Sequence, residues 1–170
     1  MHHKILKTIF FLSFVVFYSC QSSKDQNIDS VISKYNDTDF SIFKKSFIAI
    51  RQENSSETIY MLGASEANKP LYFIEYNEVI NKITNINKSL LEKTKTPDYF
   101  SNEKIEKLIT YFRKYDIVLL SVDEDNNVFI NPFEINSPAL LIRFDKSPNA
   151  ERVKKGYSYK KYKENWYLKE

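Results

Sequence analysis

Asp116-Ile117-Val118-Leu119-Leu120-Ser121-Val122-Asp123-Glu124-Asp125-Asn126-Asn127-Val128-Phe129-Ile130 is the stretch whose reading decides the fold. From Ile117 to Val122 it is an almost unbroken apolar run, too short for a helix of ordinary length and suited to a strand covered on both faces. Asp123 to Asn127 is polar throughout and reads as a turn. Val128-Phe129-Ile130 then returns beside the first strand as a hairpin. A buried central strand needs neighbours on both sides, so the rest of the chain has to supply a sheet.

Working outward, Ala139-Leu140-Leu141-Ile142-Arg143-Phe144 reads as another buried strand after the Pro132 to Pro138 loop, ended by Pro148-Asn149. The C-terminal segment from Gly156 to Leu168 alternates rings and lysines and reads as a last hairpin turning near Glu164-Asn165. Upstream, Phe47 to Gln52 and Thr58 to Gly63 are β-rich runs joined by the polar Glu53 to Glu57, an antiparallel hairpin. Leu71 to Tyr76 follows the breaker Asn68-Lys69-Pro70 as a further strand.

Three segments have helical spacing. Ile28, Val31, Ile32 and Tyr35 fall at i, i+3, i+4 and i+7. Ile105, Leu108, Ile109 and Phe112 repeat that pattern behind an N-cap at Ser101 or Asn102, with Glu103 in the first turn. Glu78 to Lys95 places Val79, Ile80, Ile83, Ile86, Leu90 and Leu91 at helical intervals although its Ile and Thr content suits strands, and its length predicts helix. The expected fold is therefore α+β, a mostly antiparallel sheet of about six or seven strands packed against two or three helices.

The N-terminus reads differently. His2, His3, Lys4 and Lys7 are polar or cationic, Ile9 to Tyr18 is almost wholly apolar, and Cys20 gives way to Gln21-Ser22-Ser23-Lys24-Asp25-Gln26. The apolar run is shorter than the roughly 18 to 20 residues that span a hydrocarbon core, and its cationic start and polar follow-on are those of an export signal. Its end, Phe17-Tyr18-Ser19-Cys20, resembles the lipobox of bacterial lipoproteins, with Ser19 and Cys20 at the matching positions, Phe17 where that family usually has Leu and Tyr18 where it usually has a small residue. The resemblance implies cleavage before Cys20, a thioether to diacylglycerol on its sulfur and acylation of the new amino group. Two or three chains, at about 0.8 kcal/mol per buried CH₂, anchor stably where one does not. The implied organisation is a signal peptide at 1–19, a lipidated Cys20 and tether at 20–27, and one globular domain at 28–170, in the cell envelope on a bacterial membrane.

Composition narrows the chemistry. Both histidines of the chain, His2 and His3, lie in the signal, and the only cysteine is Cys20. The mature chain then has no imidazole and no free thiol, which excludes Ser-His-Asp and Cys-His nucleophile systems, thiolate or imidazole zinc sites and histidine-ligated haem. No disulfide can form, so stability rests on packing; of the chain's 12 Tyr and 13 Phe, 11 and 9 lie beyond residue 19. Without residues 1–19 the net charge drops from +3 to about +1, and polyanion binding is not indicated.

Three candidate sites stand out. Asp123, Asp125, Asn127 and Glu134 fall at positions 1, 3, 5 and 12 of a calcium loop, but Val128 occupies the position that requires Gly and the flanks are strands, so a solvated hairpin turn is the expectation. The basic and aromatic C-terminus offers either a groove for a sugar, peptide or anionic polymer, or an edge hairpin guarded by lysines, which is the expectation. Scattered carboxylates single out no catalytic pair, and Lys44-Lys45 and Lys154-Lys155 read as solvated faces.

The sequence thus predicts no enzyme, no cofactor and no metal. It predicts a membrane-held binding or interaction module whose partner is an envelope protein, glycan or peptide and not nucleic acid. An inhibitor or immunity-type lipoprotein that neutralises a toxic enzyme, and a carboxylate-based hydrolase of envelope polymers, are the alternatives.

Overall fold

The computed structural model describes residues 22–66, 68–146 and 159–170, with side chains from Asn27 onward. Residues 1–21, with the expected signal peptide and Cys20, lie outside the described residues. The chain divides into two compact units between Thr38 and Asp39.

In the first unit the described residues form helix α1, Ser22–Tyr35. Ile28, Ile32 and Tyr35 are buried, as their spacing requires. Its last turn closes with the Thr38 hydroxyl donating to the Lys34 carbonyl at 3.3 Å. The helix begins inside the 20–27 segment.

The second unit is one antiparallel sheet. Its strands are β1 (Ser46–Glu53), β2 (Glu57–Ala64), β3 (Tyr72–Asn77), β4 (Lys82–Asn87), β5 (Leu119–Val122), β6 (Val128–Asn131), β7 (Leu141–Arg143), β8 (Tyr159–Lys163) and β9 (Trp166–Lys169). The nine strands lie in the order β4-β3-β2-β1-β5-β6-β7-β9-β8, so the apolar run at Leu119 to Val122 occupies the middle. Among the described residues two short α-helices, α2 (Ser89–Lys93) and α3 (Asn102–Phe112), and a 3-10 turn at Ser41–Phe43 complete the unit.

Register explains why the sheet holds. Tyr72, Leu62, Ile48, Leu120, Ile130, Leu141 and Leu168 are successive cross-strand partners from β3 to β9. All but Leu168 are 0% exposed. Directly opposed side chains on one face are the unit of sheet stabilisation, and here they form an unbroken apolar row across seven strands. The row stops at β8, where Lys160 faces Leu168.

Helix α3 is amphipathic as predicted, with Ile105, Leu108, Ile109 and Phe112 buried and the Ser101 hydroxyl accepting from the Lys104 N–H at 3.2 Å. Phe112 meets Tyr60 edge to face at 5.9 Å, which places the helix on the face of the sheet that carries the row.

The expectation of an α+β fold with about six or seven strands packed against two or three helices is corrected to a mostly β architecture. Among the described residues the sheet has nine strands, and the helices beside it are short. The main source of the difference is Glu78 to Lys95, expected as helix. Asn77 Oδ1 accepts the N–H groups of Val79 and Ile80 at 3.0 and 3.1 Å, and Asn81 adopts φ 52°, so the chain reverses where a helix was expected. The β-branched residues that follow then form β4, with Ile83 opposite Tyr76 and Ile86 opposite Ile74. Only Ser89–Lys93 of the segment is helical. Val79 and Ile80, counted on a buried helix face, are 73% and 57% exposed.

Candidate functional site

Antiparallel register gathers the β1–β2 turn, the β3–β4 turn and the β6–β7 loop at one end of the sheet. The C-terminal end of α3 joins them through Arg113 and Glu78. All the large apolar side chains that stand exposed among the described residues lie here: Val79 and Ile80 on the β3–β4 turn, Phe133 and Ile135 on the β6–β7 loop, and Tyr111 on α3.

The β3–β4 turn is held from beneath. Arg113 donates from Nη1 to Glu78 Oε1 at 2.7 Å and from Nη2 to Oε2 at 2.8 Å, a two-pronged ion pair. Its Nη1 also donates to the Tyr60 hydroxyl at 2.9 Å, and Thr58 Oγ1 donates to Glu78 Oε1 at 2.6 Å. The guanidinium stands 3.8 Å from the centre of the Tyr76 ring. Hydrogen bonding from Arg113 holds the Glu78 carboxyl below the usual carboxylate range, and the same contact raises Arg113. Burial pushes the Tyr60 hydroxyl up, partly offset by Arg113. The Glu78 N–H donates to the Ser56 carbonyl at 2.9 Å, which fastens this turn to the β1–β2 turn.

The β6–β7 loop is ordered by Asn131, whose Oδ1 accepts the N–H groups of Phe133 and Glu134 at 3.0 and 3.1 Å and whose Nδ2 donates to the Pro138 carbonyl at 2.8 Å. Asn136 Nδ2 donates to the Arg51 carbonyl at 3.2 Å, tying the loop back to β1. Both apolar projections are therefore displayed on braced turns.

At the opposite end of the sheet a cleft of about 200 Å³ is lined by Asp39, Phe40, Ser41, Val122, Asn126, Val128, Arg143 and Asp145. The Ser41 N–H donates to Asp39 at 2.8 Å and, as the largest cause, holds that carboxyl below its usual range, with a lesser contribution from Arg143. Arg143 lies 5.3 Å from the Phe40 ring centre and 5.9 Å from that of Trp166. Such a cleft suits a small polar group and is too small for a polymer.

The candidate sites read from sequence fall as follows. Asp123 Oδ1 accepts the N–H groups of Asp125 and Asn127, both at 2.9 Å, and its Oδ2 accepts from Asn127 Nδ2 at 2.8 Å. Asn127 Oδ1 in turn accepts the Asp145 N–H at 3.1 Å, while Glu134 Oε2 accepts from the Ser137 hydroxyl at 3.0 Å. The four residues with calcium-loop spacing are thus engaged in local turns. Among the described residues, no group of three or more His, Cys, Asp or Glu is placed to hold a metal ion.

At the C-terminus Trp166 is 0% exposed, Tyr167 meets Phe144 edge to face at 5.0 Å, and the Tyr159 hydroxyl donates to the Ala139 carbonyl at 2.7 Å. Trp166 is thus buried, Tyr167 packs on Phe144 and Tyr159 is bonded to the neighbouring loop, while Lys160, Lys161 and Lys163 are exposed on the edge strand. Lys45 reaches Glu124 at 3.7 Å. Lys154-Lys155 and Cys20 lie outside the described residues.

Sequence reasoning missed the Glu78–Arg113 pair and the exposure of Val79 and Ile80. The usable signal was Asn77, four residues before Asn81, which marks a turn on either side of two β-branched residues. Among the described residues no helix is long and apolar enough to cross a membrane. Comparison with protein families, curated proteins and solved structures finds no match to this chain.

Proposed function

We propose that the protein is an exported lipoprotein, anchored through Cys20, whose sheet serves as a non-catalytic interaction module at the cell envelope. The observation that carries the reading is the pair Val79 and Ile80, 73% and 57% exposed on a turn that the Glu78–Arg113 ion pair holds in place. β-branched side chains displayed on a braced turn lose little conformational freedom on docking, which favours recognition by a partner's apolar pocket. The residue inventory agrees, since His2, His3 and Cys20 are the only residues of their kinds and all lie at or before the lipobox.

The test of the interaction reading compares the wild-type protein with a Val79→Ser/Ile80→Ser variant as bait in envelope extracts. The expected result is a specific envelope component held by the wild type and lost by the variant. Recovery of identical material by both would remove the turn as the docking site. For the anchor, mass spectrometry of the mature N-terminus is expected to show a diacylglyceryl thioether on Cys20, and an unmodified thiol would overturn it.

A further inference from the structure

The two edges of the sheet are defended unequally. Strand β8 carries Lys160, Lys161 and Lys163, three cations on five residues, which deter addition of a further strand. The other edge, β4, reads Lys82-Ile83-Thr84-Asn85-Ile86-Asn87 and bears a charge only at its first residue. Thr84 and Asn85, at its middle, are exposed.

This edge has one irregularity. Ile83 pairs with Tyr76, Asn85 with Glu75 and Ile86 with Ile74, so Thr84 is an extra residue without a partner position on β3. Tyr76 and Ile74 are two apart on β3 and share a face, so the bulge brings Ile83 and Ile86 to that same face, the one that carries the apolar row. A regular strand cannot follow such an edge without slipping to the wrong face. A strand with the same bulge, related by a two-fold axis, can.

We propose that β4 is a self-association edge that pairs antiparallel with β4 of a second copy of this chain, about a two-fold axis between Thr84 and Asn85. In that register Ile83 opposes Ile86 of the second copy, Thr84 opposes Asn85 and Lys82 opposes Asn87. Both isoleucine pairs lie on the core face, and no like charges meet. Moving the axis onto Thr84 would set Ile83 against Asn85 and Lys82 against Ile86, so the sequence selects a single register. The pairing extends the sheet across both copies and leaves each lysine-guarded β8 as an outer edge.

The test uses the full chain purified in detergent, with mass measured by sedimentation and light scattering over a range of protein concentrations. Wild type is expected to be a dimer. Thr84→Lys/Asn85→Lys sets lysine against lysine twice across the axis and is expected to be monomeric. Thr84→Glu/Asn85→Lys sets Glu against Lys twice and is expected to restore the dimer. Both positions are exposed, and Trp166 fluorescence checks that each variant folds. A wild type that stays monomeric throughout, a doubly basic variant that stays dimeric, or a Glu/Lys variant that fails to dimerise would each overturn the proposal.

Discussion

Arg113 grips Glu78 through both carboxylate oxygens, at 2.7 and 2.8 Å, across 35 residues of sequence. The pair joins the C-cap of α3 to the turn between β3 and β4, so one contact fixes both the helix on the sheet and the projection that carries Val79 and Ile80. The Arg113 and Glu78 side chains are 24% and 23% exposed, a setting in which a two-pronged ion pair is shielded enough to matter and wet enough to escape the full desolvation cost of a buried charge.

Arg113→Met is expected to destabilise the protein by about 2 kcal/mol, because it leaves Glu78 with only the Thr58 hydroxyl and removes the cation from the Tyr76 ring. Arg113→Lys should recover less than half of that, since an ammonium cannot engage both oxygens in plane. Urea denaturation of the three proteins measures the series. Equal stability of all three would mean that the pair decorates the turn without holding it.

The same pair makes stability sensitive to acid. The folded-state pKa of Glu78 lies below its ordinary value of 4.5 because Arg113 donates to the carboxylate. A depressed carboxylate contributes stability above the unfolded pKa, and that contribution is lost as pH falls through the folded value. The stability difference between wild type and Glu78→Gln should therefore be constant near neutrality and shrink once pH drops below about 4.5. Asp39, which is depressed for a different reason, titrates alike in both proteins and cancels in the difference.

Legibility followed how local the decisive interaction was. The central strand at Leu119 to Val122 and the helix at Asn102 to Phe112 could be read because a buried run and a 3.6-residue period are properties of the segment alone. Glu78 to Lys95 was misread because helical intervals and strand pairing competed, and the decision lay in Asn77 and Asn81, which set a turn, and in Ile74 and Tyr76, which supplied the neighbouring strand. Glu78–Arg113 could not be found by spacing, because its partners meet only once that turn and α3 are in place.

Asp123 tests a site that spacing alone would nominate. Its carboxylate already accepts from Asp125 N–H, Asn127 N–H and Asn127 Nδ2, so Asp123→Ala is expected to cost about 1–2 kcal/mol by opening the turn between β5 and β6. Calcium is expected to leave the melting temperature unchanged, since a cation would have to displace those donors first. A concentration-dependent rise in Tm with calcium, absent in the variant, would reinstate the metal loop.

Leu120 and Ile80 separate the two uses of an apolar residue in this chain. Both stand in hydrophobic stretches of sequence, yet Leu120 is 0% exposed, between Ile48 and Ile130 in the row that crosses the sheet, while Ile80 is 57% exposed on a turn. Leu120→Ala removes methyl groups from a site enclosed on both sides, where the neighbouring strands cannot close in without breaking register, and is expected to cost about 3–4 kcal/mol. Ile80→Ser removes surface that folding leaves mostly in water and should change stability by less than about 0.5 kcal/mol. Thermal and urea denaturation of the two variants measure this contrast. A loss of more than about 1 kcal/mol for Ile80→Ser would mean that the turn is packed in solution, and would withdraw Ile80 from the docking surface.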